Sequence, residues 1–255
     1  MRLDLFLVHH KLAVSRTQAQ EFIGCGYVFL VNESGRVQLS KASYEVGENQ
    51  LARIVVEPNH LQKFVSRAGL KLAGALEALK IDVAGKVVLD VGQSTGGFSD
   101  CLVQSRARLV VGVDVGHGQL HEKLKNHPQV KSLEGLNAKE LATAAGFLNL
   151  VPAGKFDLIV MDVSFISITK VMSHLVNFLK PEGEYLFLVK PQFECGRDFL
   201  DKNGIVNDSS VYAEIEKTIR SAAMEIFKNV EYYIASGILG KDGNREYFIY
   251  GKNRN

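Results

Sequence analysis

Apolar runs of strand length alternate with amphipathic segments of helical length from residue 66 onward. Among these runs are KVVLDV, LVVGVDV, FDLIVMDV and EYLFLVKP. Strands that are apolar on both faces are typical of a parallel sheet that is covered by helices on both sides. The alternation therefore predicts an α/β fold with a doubly wound sheet.

Two further β runs, VEYYIAS and REYFIYGK, follow near the end of the chain with no helix between them. Their connection, GILGKDGN, is short and rich in glycine, so the two runs are expected to pair antiparallel at one edge of the sheet. A seven-stranded, Rossmann-like sheet with such a terminal hairpin is typical of the class I methyltransferase fold. The six-stranded sheet of the dinucleotide dehydrogenases lacks this hairpin.

The first sixty residues follow a different pattern and are predicted to form a small α+β domain, residues 1–60. Two helical patterns, RLDLFLVHHKL and SRTQAQEFIGCG, precede the β segments YVFLV and ARIVVEP, with NESG as a turn. Ser15 is placed to cap the start of the second helix. The segment around Pro58, about residues 57–65, is the predicted linker to the larger domain, residues 61–255.

The composition is that of an ordinary globular protein, with 255 residues, 46% hydrophobic and 23% charged. No apolar run reaches the roughly 18 to 20 residues that a membrane-spanning helix needs, so a soluble cytoplasmic protein without a membrane segment is expected. Cys25, Cys101 and Cys195 lack metal-ligand spacing, which predicts free thiols and no metal site. The net charge of +2 permits contact with nucleic acid but does not argue for it.

The loop VGQSTGG raises the question of whether Ser94 is a nucleophile. Gly92 to Gly96 match the G-x-S-x-G pattern of a hydrolase elbow. A hydrolase needs its histidine after a late strand, whereas the last histidine, His174, lies in a helical segment directly after the strand that ends at Asp162. The hydrolase interpretation fails on this count, and Ser94 is interpreted as a loop residue.

A cofactor loop that follows the strand of Asp90 explains the same segment better. Gly92, Gly96 and Gly97 let the backbone turn tightly and approach a ligand. Asp114 ends the next strand, about 20 residues further on, where a carboxylate can accept both ribose hydroxyls of an adenosine. Because the phosphate loop G-K-[ST] and the NAD pattern G-x-G-x-x-G are absent, S-adenosylmethionine is the predicted cofactor. The alternative is that these glycines only shape a turn.

Charged residues lie at the ends of several predicted strands. Asp162 and Lys190 end consecutive strands and are expected to face one cleft. Glu246 lies at the head of the last strand, and Lys71 lies on the helix that opens the large domain. A lysine can act as a base when desolvation or a second ammonium favours its neutral form, so the hypothesis is that Lys190 takes the proton of an attacking hydroxyl. The alternative is that these residues form structural ion pairs.

Specific motifs recur along nearly the whole chain. RLDLFLV, SRTQAQEFI and GYVFLVN belong to the small domain. FVSRAGLKL, DVGQSTGGFSDCL, VGVDVGHGQL, MDVSFISI, LVKPQFECG and GNREYF belong to the large one. In these motifs the chain resembles the TlyA, or hemolysin A, family, in which an S4 RNA-binding domain precedes an FtsJ-like ribose methyltransferase domain.

The resemblance implies an S-adenosylmethionine-dependent 2′-O-methyltransferase that acts on ribosomal RNA or ribosomal subunits, with cytidine ribose as the target in the family. It implies that Lys71, Asp162, Lys190 and Glu246 form the catalytic set. Gln93 stands at a loop position where the family usually has a smaller residue. The cofactor contacts that the resemblance implies are Asp90, Gly92, Ser94, Gly96, Gly97, Phe98, Asp114, Asn137 and Asp162.

RNA contact is expected from a local face, because residues 1–60 hold six Lys or Arg against six Asp or Glu. The predicted contacts are Lys11, Arg16, Lys63 and Arg67. The alternative for this cluster is a solvated surface.

Two other functions are compatible with the sequence. The first is a catalytically silent, ribosome-associated RNA-binding protein, which S-adenosylmethionine binding distinguishes from an enzyme. The second is a membrane-active hemolysin, for which the sequence offers no spanning segment and no strongly basic amphipathic helix.

Overall fold

The chain forms two compact units, Met1–Gln62 and Lys63–Asn255. The first contains a three-stranded sheet and the second a seven-stranded sheet. The predicted linker falls largely on residues 57–62, which lie outside the described residues. The computed structural model describes residues 1–24, 27–32, 35–47, 53–56, 63–151, 155–206, 208–240 and 243–255.

Two short helices and three strands make up the described part of the first unit. They are α1 (Leu3–His9), α2 (Arg16–Gly24), β1 (Val28–Asn32), β2 (Gly35–Gln38) and β3 (Ile54–Val56). The strands pair antiparallel in the order β2-β1-β3. The two predicted helices and the predicted strands β1 and β3 are confirmed.

The ends of these elements follow the local sequence. The hydroxyl of Ser15 accepts the N–H of Gln18 at 3.2 Å, as predicted for a helix cap. Strand β2 is not predicted, because all of its residues are exposed and it has no apolar face. Residues 33–34 of the predicted NESG turn lie outside the described residues. That this unit is an S4-type RNA-binding domain stays a prediction.

A buried carboxylate joins α1 to α2. Asp4 is fully buried and accepts hydrogen bonds from Arg2 at 3.1 Å, from Arg16 at 2.9 Å and from Gln20 at 2.9 Å. The hydrogen bonds from Arg2 are the largest of the effects that hold the pKa of Asp4 well below its usual range, against the opposing effect of burial. Arg16, a predicted RNA contact, is thus engaged within its own unit, although its side chain is 55% exposed.

The large sheet has the strand order β6-β5-β4-β7-β8-β10-β9. The first five strands in this order, β6, β5, β4, β7 and β8, run parallel to one another. Strand β10 is antiparallel to both of its neighbours, β8 and β9. The predicted seven-stranded, doubly wound sheet with an antiparallel terminal pair is therefore confirmed. The strands are β4 (Val87–Val91), β5 (Leu109–Asp114), β6 (Val130–Glu134), β7 (Phe156–Met161), β8 (Leu179–Val189), β9 (Tyr232–Ala235) and β10 (Tyr247–Lys252).

Helices cover both faces of this sheet. Leu89 of β4 belongs to the core against α7 and α9, and its neighbour Val88 belongs to the core against α3 and α4. Because both faces are covered, β4 is buried at every position, which explains its continuous apolar run. The helices are α3 (Ala68–Ala78), α4 (Gly97–Gln104), α5 (Glu122–Lys125), α6 (Ala145–Leu148), α7 (Thr169–Leu175), α8 (Pro191–Glu194) and α9 (Ser209–Phe227).

The starts of α3 and α4 pack closely because both carry glycine. A Cβ atom on Gly97 would lie 2.2 Å from Ser66 Oγ and 2.9 Å from Ala68 Cβ. A Cβ atom on Gly69 would lie 2.7 Å from the carbonyl oxygen of Gly97. This contact brings α3, and with it Lys71, next to the loop that follows β4.

Replacing Asp4 with asparagine removes the charge that Arg2 and Arg16 share. We expect the packing of α1 on α2 to lose about 1–3 kcal/mol at pH 7, because buried hydrogen bonds to a charged group are lost. Amide hydrogen exchange of α1 and α2 in the intact chain should become about tenfold faster or more. Glu45→Gln is the control, since its ion pair with the N-terminus is a surface pair and its side chain is 73% exposed. Unchanged exchange in Asp4→Asn would contradict this account.

Candidate functional site

A cavity of about 390 Å³ opens at the carboxyl ends of β4, β5 and β7. This is the edge at which parallel α/β sheets bind their ligands. Apolar side chains such as Val113, Leu136 and Ile166 form much of its wall. The predicted cofactor residues that line it are Gly92, Ser94, Asp114, Asn137 and Asp162.

Gly92 brings the loop after β4 against the end of β7. Its φ of +83° lies in the left-handed region, which glycine adopts without strain. A Cβ atom at this position would lie 2.3 Å from the carbonyl oxygen of Asp162. Any side chain at residue 92 would therefore push the loop away from β7 and distort the cavity.

Asp114, at the end of β5, organises the opposite side of the cavity. Its Oδ2 accepts the N–H of Ser94 at 2.8 Å, and its Oδ1 accepts the N–H of Gly116 at 2.7 Å. Each carboxylate oxygen can accept a further hydrogen bond, so the carboxylate is able to receive a ligand hydroxyl from the cavity. The hydroxyl of Ser94 donates to Gln119 at 3.1 Å, and His174 lies on α7, so the contacts of Ser94 are those of a loop residue.

Four other predicted cofactor residues do not line the cavity. A Cβ atom on Gly96 would meet Leu124, and Gly97 packs against the start of α3. Phe98 is 2% exposed and its ring packs against Phe248 in the core, with centroids 6.3 Å apart. The Phe98 side chain therefore faces the core, because position 98 falls on the buried face of α4, and its role as a cofactor contact stays a prediction.

Asp90 is the fourth of these residues and lies beneath the loop. It is fully buried, and its Oδ2 accepts the hydroxyl of Ser99 at 2.6 Å. Its Oδ1 is buried and has no hydrogen-bond partner among the residues that the structure describes. Burial raises the pKa of Asp90 to about 7, and the nearby carboxylates of Asp162 and Asp114 act in the same direction.

The structure brings Asp162 and Lys190 together at the ends of neighbouring strands β7 and β8. Lys190 Nζ lies 2.6 Å from Asp162 Oδ1 and donates to Ser164 Oγ at 2.9 Å. Both charged side chains are largely buried, at 13% and 14% exposed. Asp162 and Ser164 line the cavity, so the ammonium of Lys190 is held at its edge.

Lys71 and Glu246 form a second, more deeply buried ion pair. Lys71 Nζ lies 2.5 Å from Glu246 Oε2, with the side chains 10% and 3% exposed. Glu246 directly precedes Tyr247, which pairs with Val189 across β10 and β8. Because the strands are antiparallel, Glu246, just before Tyr247, and Lys190, just after Val189, lie at the same end of this strand pair. Both ion pairs therefore lie at the same end of the sheet.

Some residues at the site carry no clear signal in the sequence. Ser164 contacts Lys190 across 26 positions of the chain. Glu134, at the end of β6, accepts the N–H groups of residues 118 to 120 at 2.6 to 3.3 Å and so fixes the loop beside Gln119. Phe165 lines the cavity, is 90% exposed, and lies 5.2 Å from the ring of Phe193.

The predicted RNA contacts divide between the two units. Lys11 and Arg16 belong to the first unit, and Lys63 and Arg67 to the second. Lys63 Nζ lies 5.1 Å from the centre of the Phe64 ring. A side-chain nitrogen of Arg67 donates to the carbonyl of Leu239.

Neither a metal-binding cluster nor a membrane-spanning helix is present in the described ranges of the chain. These ranges hold no group of three or more His, Cys, Asp or Glu side chains arranged to bind a metal ion. No helix in them is both long enough and apolar enough to cross a bilayer. Cys101 and Cys195 are free thiols, while Cys25 lies outside the described residues.

Residues 64–253 match the model of the FtsJ-like methyltransferase family. Over 249 residues the chain is 38% identical to the 16S/23S rRNA (cytidine-2′-O)-methyltransferase TlyA of Mycobacterium tuberculosis, covering 98% of this chain and 88% of that protein. It is 37% identical to Hemolysin A of Brachyspira hyodysenteriae, covering 98% and 99%. A solved structure from Streptococcus thermophilus, described provisionally as a hemolysin, superposes with a TM-score of 0.73 at 32% identity, covering 99% of this chain and 88% of that one.

The buried carboxylate of Asp90 predicts a pH-dependent stability. The pKa of Asp90 is about 7 in the folded chain and about 4 in an unfolded one, so the folded state binds the proton more tightly. The free energy of unfolding should therefore fall as the pH rises from about 4 to about 7. Asp90→Asn cannot titrate, and its unfolding free energy should rise by about 2–3 kcal/mol relative to wild type between pH 5 and pH 8.

Urea unfolding followed by circular dichroism measures this difference at each pH. Wild type and Asp90→Asn share the hydroxyl donor of Ser99, so the comparison isolates the charge. A constant difference between the two proteins from pH 5 to pH 8 would show that Asp90 does not titrate in this range.

Proposed function

The chain belongs to the FtsJ-like methyltransferase family, and we propose that it transfers a methyl group from S-adenosylmethionine to a ribose 2′-hydroxyl of ribosomal RNA. The observation that carries this proposal is the Lys190–Asp162 ion pair at the edge of the cavity, next to the buried pair of Lys71 and Glu246. The name of the Mycobacterium tuberculosis relative supports cytidine as the target. A ribosomal RNA substrate implies that the enzyme acts in the cytoplasm, on ribosomes or their subunits.

The cavity suits an adenosyl cofactor in size and chemistry. A volume of about 390 Å³ is in the range of small-molecule sites. Asp114 would accept the ribose hydroxyls, Gly92 would allow the backbone to approach the ligand closely, and Asn137 would contribute from the loop after β6. S-adenosylmethionine supplies, when bound, an electrophilic methyl group on a sulfonium.

Lys190 is the proposed base. A neutral amine has two N–H groups and one lone pair. Ser164 Oγ accepts one N–H group of Lys190 at 2.9 Å. Asp162 Oδ1 lies 2.6 Å from Nζ and has no hydrogen-bond partner among the described residues, so it is available to accept the second N–H group, which would leave the lone pair for the substrate. The proton of the 2′-hydroxyl would pass to Lys190 Nζ while the hydroxyl oxygen bonds to the methyl carbon. The bond between that carbon and sulfur would break, and its electron pair would stay on sulfur, which leaves a neutral thioether. General-base catalysis of this kind contributes about 10²–10⁴ in rate.

Lys71 and Glu246 would support the attacking group. The carboxylate of Glu246 neutralises the buried ammonium of Lys71, which would otherwise be costly to bury. With its charge balanced, Lys71 can lie near a ribose oxygen without repelling Lys190. Together the two pairs place two ammonium groups and two carboxylates at one end of the sheet.

RNA binding would involve both units. Lys11 and Arg16 in the first unit, and Lys63 and Arg67 in the second, are the proposed phosphate contacts. The exposed ring of Phe165, beside that of Phe193, offers an aromatic surface on which a base can stack when a ribose enters the cavity.

Cofactor binding separates this proposal from a silent methyltransferase fold. Calorimetry of the purified protein with S-adenosylmethionine should show one site per chain. A chain that binds ribosomal RNA but no S-adenosylmethionine would instead be an RNA-binding protein.

A membrane-active function is the second candidate, favoured by the hemolysin descriptions of two relatives. Leakage of a dye from liposomes after addition of the purified protein tests it directly. Leakage in Lys190→Met as strong as in wild type would assign that activity to a part of the protein other than the proposed catalytic site.

Lys190→Met tests the assignment of the base. The variant should lose about 10²–10⁴-fold in methyl transfer, because it lacks the amine that is proposed to take the proton. Binding of S-adenosylmethionine should be retained, since the cavity wall keeps Asp162 and Asp114. Transfer is measured with labelled cofactor and ribosomal RNA.

Lys180→Met is the matched control. Lys180 pairs with Asp157 at 2.6 Å on the same two strands, β7 and β8, but at their opposite ends. Its loss should leave transfer unchanged. Full activity in Lys190→Met, or equal losses in both variants, would refute the assignment.

A further inference from the structure

Gln93 is a buried polar residue at the centre of the loop that lines the cavity. Its side chain is 3% exposed and turns away from the cavity, over Gly112 of β5. A Cβ atom on Gly112 would lie 2.0 Å from Gln93 Cδ, so the glycine makes the space that the amide fills. The larger residue at position 93 therefore does not obstruct the cavity.

A chain of hydrogen bonds satisfies the buried amide. Ser132 Oγ donates to Gln93 Oε1 at 2.5 Å, and Gln93 Nε2 donates to Ser99 Oγ at 2.8 Å. Ser99 Oγ in turn donates to Asp90 Oδ2 at 2.6 Å. The amide NH2 of Gln93 can only donate, so Ser99 Oγ accepts from it and gives its own hydrogen to Asp90 Oδ2, and the bonds run in one direction along the chain. An unpaired amide at this depth is destabilising, so each partner helps to hold Gln93 in place.

The other members of this hydrogen-bonded chain belong to three different elements. Asp90 lies on β4, Ser99 on the first turn of α4, and Ser132 on β6, which is separated from β4 by β5. Through these bonds the Gln93 amide links Asp90 and Ser99, which lie at the two ends of the loop after β4, to Ser132 on β6. Its chain neighbours, Gly92 and Ser94, line the cavity, and Ser94 adopts a φ of +48°.

We propose that Gln93 is a positioning residue for the cofactor, which holds Gly92 and Ser94 in their ligand-binding conformation by bridging Ser99 and Ser132. This inference rests on the proposed function, because it assumes that the cavity binds S-adenosylmethionine. A non-glycine residue held at positive φ is strained, and a fixed neighbour on the loop is one way to maintain it. Preorganisation of this kind strengthens binding without touching the reacting atoms.

Gln93→Met tests the inference, since methionine has a similar length but makes neither hydrogen bond. We expect the Kd for S-adenosylmethionine to rise about tenfold or more, and kcat at saturating cofactor to change by less than about twofold. Ser132→Ala, which removes one bond and leaves Gln93 in place, should raise Kd by a smaller factor. It also carries the test if Gln93→Met fails to fold.

Gln129→Met is the control, because Gln129 is a partly buried glutamine beside β6 whose amide donates to the carbonyl of Ala107. Its Kd should equal that of wild type. Equal Kd values in wild type, Gln93→Met and Ser132→Ala would overturn the inference alone, and so would a fall in kcat at unchanged Kd. Absence of cofactor binding by wild type would overturn the proposed function and this inference with it.

Discussion

The ion pair between Lys190 and Asp162 is the interaction on which the account of this chain depends. It exists because β7 and β8 are parallel neighbours whose carboxyl ends meet at one edge of the sheet. At that edge the side chains are largely withdrawn from water, where an ammonium is stable only beside an acceptor. The pair is therefore both a product of the topology and the feature that holds an ammonium group at the edge of the cavity.

Close backbone approach is the second requirement of the site. The loop after β4 can lie against β7 only because residue 92 has no side chain, and α3 can lie against α4 only because residues 69 and 97 have none. The first contact shapes the cavity, and the second brings Lys71 to Glu246. The glycines at these close backbone contacts thus determine where the charged side chains meet.

Much of the fold follows from the sequence because buried parallel strands require apolar residues on both faces. The runs of β4, β5, β7 and β8 satisfy this requirement and are predicted. Strand β6, with the sequence VKSLE, is not, because it lies at the sheet edge and its exposed positions admit polar residues. The same holds for β2, which is exposed throughout.

Residues of the site can be predicted from the sequence only where they directly follow a predicted strand. Asp162 and Lys190 meet this condition, and the structure places them in contact, while their catalytic role stays a prediction. The Phe98 side chain lies in the core because its spacing from Cys101 and Leu102 places it on the buried face of α4, and its cofactor contact stays a prediction. Ser164 needs the three-dimensional register to be recognised.

The most direct test of methyl transfer to ribosomal RNA is a map of ribose methylation in cells that lack this gene. Ribosomal RNA from these cells would then be incubated with the purified protein and S-adenosylmethionine that carries an isotopically labelled methyl group. The account predicts that a discrete ribose mark is missing in the cells and returns with the label on the 2′-oxygen. An unchanged map, or a label on a base instead of a ribose, would contradict it.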